Sequence, residues 1–319
     1  MSSEEVAAGA EIKAVPIRHP GRWIAAAVIA VLAAMLVHSF VTNDNFGWSY
    51  FSQYGFTAPI LHGVAITLEL TAAAMAIGIA GGVVLAIMRL SPNPMLSSVS
   101  WVYVWLFRGT PVLVQILLWY NLSYLYPHLS LGIPFGPTFV TADTNDVISA
   151  LTAGILALGL NEAAYMAEIV RAGILSVDAG QSEAAAALGM TRGLVMRRIV
   201  LPQSMRVIIP PTGNETISML KTSALVSTIA VAELLQQTQG IINRTYATVP
   251  LLLMASLWYL AMTSILTVGQ YYLERHYRRG SGFSGPDQTL PGRLWHAIRY
   301  IRPGNEQAAL LSTGSEHQR

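Results

Sequence analysis

Residues 70–88 read LTAAAMAIGIAGGVVLAIM, a run of uncharged residues between Glu69 and Arg89. An α-helix rises about 1.5 Å per residue, so this run is long enough to cross most of the roughly 30 Å hydrocarbon core of a lipid bilayer. Within it, Gly78 and Gly82 have the G-x-x-x-G spacing that permits close contact between membrane helices. The run therefore predicts a membrane-spanning helix with one closely packed face.

The same pattern recurs along the chain. Of its 319 residues, 53% are hydrophobic and only 11% are charged, whereas a soluble domain carries about 25% charged residues. This composition excludes a disordered protein and disfavours a water-soluble enzyme, and the absence of cysteine excludes a disulfide scaffold or a thiolate zinc site. Five more segments are candidate spans, and they cover residues 23–41, 109–126, 147–170, 207–232 and 245–273. We predict an all-α integral membrane protein with six transmembrane helices.

The basic residues predict how these helices are oriented. With both termini in the cytoplasm, 16 of the 19 Lys and Arg residues fall on the cytoplasmic side, in agreement with the positive-inside rule. Residues 1–22 are then a cytoplasmic N-terminal segment and residues 280–319 a cytoplasmic tail, either flexible or forming a short amphipathic helix on the inner leaflet. The span at 23–41 is too long for a signal peptide and is expected to remain uncleaved. The outer loop 132–137 is predicted to be a turn-rich connector without secondary structure.

Residues 176–202 are too polar to lie in the bilayer. We expect Ser182 to cap an alanine-rich helix over 183–188, Gly189 to end it, and residues 191–200 to form a second, basic helix. Two short helices around a glycine would form a compact cytoplasmic elbow. A solvated inner loop is the alternative interpretation, but the small side chains and flanking arginines favour docking of another protein.

Four motifs in this chain resemble those of one family of membrane proteins. The sequence EAAAALG at 183–189, followed by IVLP at 199–202, resembles the EAA loop of ABC importer permeases. FRGTPVLVQ at 107–115 and AYMAEIVRAGI at 164–174 resemble blocks of the branch that carries polar amino acids. The pattern continues through Leu201, Pro202 and Gln203 with Arg206, Pro210, Asn214 and Lys221. The resemblance keeps its order and spacing over residues 60–275.

This resemblance implies a fold and a set of partners. The fold would be the five-helix type I importer core over residues 60–275, preceded by the extra span at 23–41. The elbow at 176–202 would hold the coupling helices that contact an ABC ATPase subunit, through Glu183, Ala184, Ala185, Gly189, Arg192 and Arg197. A second permease subunit, identical or homologous, and an extracytoplasmic amino-acid-binding protein would complete the importer in the bacterial cytoplasmic membrane. The substrate would be a polar amino acid.

ATP hydrolysis is expected on the separate ATPase subunit. A phosphate-binding loop has the pattern G-x-x-x-x-G-K-[ST], and of the two lysines here Lys221 follows Leu220 and Lys13 lies in the N-terminal segment. ATP and Mg²⁺ would therefore bind the partner, and we expect no catalytic residue, cofactor or metal site in this chain. A net charge of +2 gives no indication of nucleic-acid binding.

Polar residues inside the spans are candidates for the substrate pathway, because ionisable groups in a membrane are costly and usually functional. Glu162 lies near mid-membrane and is expected to face a cavity, whereas Glu168 is expected to pair with Arg171, three residues on. The further candidates are Asn161, Glu215, Asn214 and Arg108, the last expected near the inner gate, more as a positioning group than as a substrate ligand. An ion-coupled secondary transporter that uses Glu162 or Glu215 without an ATPase remains the alternative, although such a carrier has no need of the elbow.

Overall fold

The structure of the protein, a computed structural model, describes residues 20–134 and 136–278. The predicted tail 280–319 and all but the last three residues of the predicted N-terminal segment 1–22 lie outside the described residues. In chain order the elements are α1 (Pro20–Thr42), α2 (Trp48–Tyr54), α3 (Ala58–Arg89), α4 (Pro94–Gly109), α5 (Val112–Tyr120), α6 (Leu122–Leu125), β1 (His128–Gly132), β2 (Thr138–Asp143), α7 (Thr144–Val147), α8 (Ala150–Leu175), α9 (Ala179–Ala187), α10 (Arg192–Val195), α11 (Leu201–Thr222), α12 (Leu234–Thr245) and α13 (Thr248–Arg278). A 3-10 turn at Asp44–Phe46 precedes α2, a π-helix at Met196–Val200 joins α10 to α11, and a 3-10 segment at Ser223–Ile229 follows α11.

The membrane-spanning pattern agrees with the predicted fold class. Four described helices, α1, α3, α8 and α13, are long and apolar enough to cross a membrane. Two bent pairs bring the number to as many as six if each pair is one span: α4 with α5, bent by 101°, and Arg192–Ile229 with α12, bent by 49°. The predicted span at 109–126 is therefore corrected, because that segment begins at the bend of the first pair and holds only the short α5 and α6.

A proline explains the sharp bend between α4 and α5. The ring of Pro111 clashes with a helical conformation at the preceding residue, and Thr110 accordingly has an extended backbone with φ −116° and ψ 144°. The chain leaves α4 at Gly109 and begins α5 at Val112 in a new direction.

The centre of the fold is the contact between α3 and α8, which bury Leu70, Ala74, Ala157 and Leu158 completely. A Cβ atom placed at Gly82 would lie only 2.9 Å from the backbone nitrogen of Ala167. The predicted close-packed glycine face is thus confirmed, since no larger residue fits between the two backbones there.

A β-hairpin follows α6. β1 and β2 pair antiparallel, with the Ser130 and Thr141 hydroxyls 3.2 Å apart across the strands. The prediction of a connector without secondary structure at 132–137 was wrong at its start, because Gly132 is the last residue of β1. The fold remains mostly helical, and the hairpin is its only described sheet.

The N-terminal helix α1 is exposed along its described side chains and meets the rest of the protein at its last turns. There the indole nitrogen of Trp48 donates a hydrogen bond to the backbone oxygen of Phe40 at 3.0 Å, and the ring of Phe46 packs against that of Phe40. This helix therefore adds to the bundle formed by α3–α13 without contributing to its buried core.

Candidate functional site

A polar cavity of about 590 Å³ lies where the bend between α4 and α5 faces α8 and α11. Its described lining residues are Arg108, Gly109, Thr110, Pro111, Val112, Asn161, Glu162, Tyr165, Glu215, Ser218, Met219 and Thr222. Four of the five residues predicted for the substrate pathway, Arg108, Asn161, Glu162 and Glu215, are thus brought together from three separate helices.

Glu162 has the most unusual environment in this cavity. Its side chain is only 3% exposed, and its Oε1 atom has no hydrogen-bond partner among the described residues. The close approach of α3 at Gly78, where a Cβ would lie 2.7 Å from Cβ of Glu162, leaves this side chain little room to turn away. A buried carboxylate oxygen without a partner is costly, so the position is suited to a group that arrives with the ligand.

Arg108 and Glu215 place opposite charges on the same cavity. The Arg108 guanidinium lies 5.0 Å from the centre of the Tyr165 ring, a cation–π arrangement that orients it. Neither residue forms an ion pair within 4.0 Å; the one such pair in the described part of the chain joins Arg171 to Glu168 at 2.6 Å, as predicted. The cavity charges are therefore available to a ligand.

The bend beside the cavity is fixed by two amide side chains. The Nδ2 atom of Asn161 donates to the backbone oxygen of Phe107 at 2.9 Å and to Oε1 of Gln115 at 3.2 Å. Gln115 in turn donates to the same Phe107 oxygen at 3.0 Å and to the Thr110 hydroxyl at 2.8 Å. These bonds satisfy backbone groups that the bend leaves without helical partners. The Asn161 side chain therefore stabilises the cavity wall. Gln115 has the same role; it belongs to the sequence motif at 107–115, but our prediction did not select it.

Asn214 is not part of the cavity, which corrects the prediction that it lines the substrate pathway. Its Oδ1 atom accepts a hydrogen bond from Gln270 of α13 at 2.9 Å. Successive residues on a helix point about 100° apart, so Asn214 and Glu215 necessarily face different neighbours. The cavity is also lined by three residues that the sequence analysis did not select, Tyr165, Ser218 and Thr222. A single uncharged polar residue in a span does not indicate a cavity until the positions of the neighbouring helices are known.

The predicted elbow at 176–202 contains two short helices packed around a small apolar core of its own and Ile174 at the end of α8. Its first helix begins one turn earlier than expected: Asp178, not Ser182, is the N-cap, and the Asp178 carboxylate accepts from the backbone N–H of Gly180 at 2.8 Å. The second helix, predicted at 191–200, is α10 followed by the π-helix, and it continues without a break into α11.

Gly189 ends α9 as predicted. Its φ is +79°, in the left-handed region that favours glycine. The backbone N–H of Gly189 donates to Ala186 and that of Met190 to Ala185, at 2.9 and 3.1 Å, which is the double hydrogen bond of a Schellman motif.

One predicted coupling residue proves to be internal to the elbow. Ala185 is only 5% exposed and packs with Val195 and Val200 in a small core, so its side chain faces inward rather than toward the exposed surface. The remaining predicted coupling residues, Glu183, Ala184, Gly189, Arg192 and Arg197, are exposed. Leu188, at the corner beside Gly189, is 84% exposed and is a further residue that the prediction did not select.

Comparison with known proteins gives this arrangement its context. Residues 78–279 match the family described as binding-protein-dependent transport system inner membrane component. The chain is 48% identical over 299 residues to the arginine transport system permease protein ArgU of Corynebacterium glutamicum, covering 92% of this chain and 91% of that protein. It is 36% identical to the nopaline transport system permease protein NocM of Agrobacterium fabrum, over 71% of this chain and 92% of that one.

A solved structure shares both fold and sequence with the chain. It is an amino acid ABC transporter crystallised with histidines, and it matches with a TM-score of 0.60 and 38% identity, over 71% of this chain and 98% of that chain. The resemblance inferred from the four motifs is thereby confirmed. The chain belongs to the binding-protein-dependent inner membrane components, as an amino-acid ABC transporter permease: a membrane subunit of a non-catalytic family that works with an ATPase and a binding protein.

Proposed function

We propose that this permease subunit imports cationic amino acids through the polar cavity, driven by ATP. The observation that carries the proposal is the unpartnered Glu162 carboxylate in a cavity that also holds Glu215 and Arg108. A cationic amino acid carries two positive groups and one carboxylate. Two glutamates and one arginine complement those three charges one for one.

The name of one relative agrees with this choice of substrate. The relative with 48% identity is named for arginine transport, and an arginine side chain would bring five N–H donors to a carboxylate without a partner. We assign the Glu162 and Glu215 carboxylates to the ammonium and the side-chain cation, and the Arg108 guanidinium to the substrate carboxylate. Charged pairs of this kind are effective in a partly desolvated cavity.

ATP would act through the elbow. In this proposal a separate ATPase subunit, which binds ATP and Mg²⁺, docks on the exposed corner formed by Leu188, Gly189 and the neighbouring Glu183, Arg192 and Arg197. Closure of the ATPase shifts the population between inward-facing and outward-facing states, and a second permease subunit completes the pathway. Both termini lie in the cytoplasm, and an extracytoplasmic binding protein delivers the substrate.

The test is the Glu162→Gln substitution in proteoliposomes that contain the permease, its ATPase and the binding protein. Loss of one charged contact costs about 1–3 kcal/mol, so the apparent affinity for arginine should fall by about 5- to 150-fold. Glu168→Gln is the matched control, because that carboxylate is paired with Arg171, and its uptake should stay near the wild-type value. Unchanged kinetics in Glu162→Gln would remove this residue from the substrate site.

The same preparation separates the proposal from ion-coupled transport. Uptake should require both ATP and the ATPase subunit. Uptake by the permease alone, driven by a proton or sodium gradient, would refute the ATP-driven mechanism and favour a secondary transporter.

A further inference from the structure

A second buried polar cluster lies outside the cavity, at the break between the 3-10 segment and α12. Glu233 is completely buried, and its Oε1 atom accepts a hydrogen bond from the backbone N–H of Gln236 at 2.7 Å. Its Oε2 atom accepts from the hydroxyl of Tyr259 on α13 at 2.7 Å. The Thr67 hydroxyl of α3 donates to the backbone oxygen of Gly63 at 2.9 Å and accepts from the backbone N–H of Leu234 at 3.2 Å, and it lies 3.5 Å from the same Glu233 oxygen. The start of α12 is therefore tied to α13 through Glu233 and to α3 through Thr67.

The backbone at this break has an unfavourable conformation that its surroundings must stabilise. Ala230 has a φ of +59°, a conformation that costs a residue with a side chain roughly 1–2 kcal/mol. Such a residue persists where its surroundings hold it in place. Helix α3 approaches closely at this point, because a Cβ on Gly63 would lie 2.9 Å from Cα of Leu234.

Open space lies on the other side of the same break. An apolar cavity of about 300 Å³ is bordered by Ile66, Ser149, Ala150, Leu151, Val231 and Ala232. The break is thus held by hydrogen bonds on one side and bordered by this cavity on the other.

The break is continuous with the wall of the polar cavity. Met219 and Thr222, at the end of α11, line that cavity, and the 3-10 segment leads directly from them to the break. Met219, Val226 and Val231 also belong to one buried apolar cluster. A displacement at Glu233 would therefore be transmitted to the cavity wall.

We propose that Glu233, Tyr259 and Thr67 form a latch that holds this break, and with it the cavity wall, until the ATPase drives the change of conformation. Glu233 is a positioning residue in this view, since it does not touch the substrate. The role in transport rests on the proposed function, whereas the latch itself can be measured without any transport. Without the latch, the wall would move independently of the ATPase, and hydrolysis would be less well coupled to import.

Three variants separate the latch from the helix cap. Glu233→Asp keeps an N-cap carboxylate for α12 but is one methylene shorter and should not reach Tyr259. Tyr259→Phe removes only the hydroxyl. Glu233→Gln keeps the length of the side chain: its one oxygen can still accept from the backbone N–H of Gln236, and its amide N–H can donate to the Tyr259 oxygen, so this variant is expected to retain most of the wild-type behaviour.

The first measurement is hydrogen–deuterium exchange of the full-length permease over residues 226–240. Exchange should rise on the order of tenfold in Glu233→Asp and Tyr259→Phe, the change that loss of a hydrogen bond to a carboxylate produces in a local equilibrium. The double variant should be no faster than the faster single variant, because both changes remove one interaction. Wild-type exchange in both single variants, or additive effects in the double variant, would refute the latch.

The second measurement is the number of amino-acid molecules imported per ATP in the reconstituted importer. This ratio should fall in Glu233→Asp and Tyr259→Phe, whereas Glu233→Gln should keep a ratio close to that of the wild type. Variants that only melt at a lower temperature, with a normal ratio, would show that the cluster is structural and would overturn the proposal. If the wild-type importer itself fails to transport amino acids, the proposed function fails, and the exchange measurement still decides whether the latch exists.

Discussion

Replacing Gly189 by arginine tests whether the elbow is the contact with the ATPase. The structure gives two contributions to the free-energy cost of this substitution, one from the backbone conformation and one from steric contacts. The φ of +79° adds roughly 1–2 kcal/mol for most residues with a side chain, and a Cβ at this position meets no atom of the described residues within 4 Å. The substitution therefore costs the isolated subunit little, and its spans should insert normally.

The cost in the assembled importer is expected to be much larger. A bulky cation at this corner would occupy the space that we assign to the ATPase and would bring an unpaired charge into the contact. An uncompensated charge in such a place costs about 3–5 kcal/mol, which corresponds to a loss of more than about 100-fold in affinity. The ATPase should then no longer co-purify, and hydrolysis stimulated by the loaded binding protein should be lost.

Two control variants isolate the effect. Gly189→Asn introduces a residue that tolerates the left-handed conformation and adds less volume than arginine, so most of the ATPase should still co-purify with this variant. Gly21→Arg adds the same side chain at the start of α1, where a Cβ also meets no described atom within 4 Å, and it should behave like the wild type. If Gly189→Arg retains the ATPase and full stimulated hydrolysis, the elbow is a solvated loop and our reasoning on coupling is wrong.

Three further predictions concern the cavity wall, the helix packing and the topology. Asn161→Leu removes the donor to the Phe107 oxygen and should lower transport at least tenfold with normal membrane insertion, as measured by uptake and surface-accessible protein. Gly82→Val should lower the midpoint of thermal unfolding, since over-packing costs about 1–3 kcal/mol or more, whereas Ala80→Val on the exposed face should leave it unchanged. A cysteine introduced at Ser312 should resist impermeant thiol reagents in intact cells, and labelling from outside would contradict cytoplasmic termini.

Patterns of local spacing predicted several features correctly. Glu168 and Arg171 pair because residues three apart lie on one helix face. Gly189 ends its helix because few other residues accept a positive φ. The bend at Pro111 could also have been predicted, because a proline disfavours a helical conformation at the residue before it. The prediction of one span over 109–126 relied on hydropathy and did not take this proline into account.

Features that depend on distant residues could not be predicted. Asn161 could be recognised as a polar residue in a span, but its partner, the backbone oxygen of Phe107, lies 54 positions earlier in the chain. Glu233 gave no signal because its burial depends on Thr67 and Tyr259, from two other helices. Ala185 was expected on the surface. Its burial depends on contacts with Val195 and Val200, and the sequence of α9 alone does not show which face of the helix meets them.

Residues 192–222 run from the elbow to the polar cavity as one helical rod, made of α10, the π-helix and α11. About 20 Å of helix separates Arg197 from Pro210 at 1.5 Å per residue, so a tilt of about 10° at the elbow would displace the far end by about 3.5 Å. Pro210 and Pro211 lack backbone N–H groups, so two helical hydrogen bonds are missing and α11 bends more easily at this point. Gln270 of α13 bridges it, with Nε2 3.3 Å from the Pro210 oxygen and 2.9 Å from Oδ1 of Asn214. In the proposed mechanism, the stiffness of the helix at Pro210 and Pro211 would determine how much of a movement at the elbow reaches Glu215.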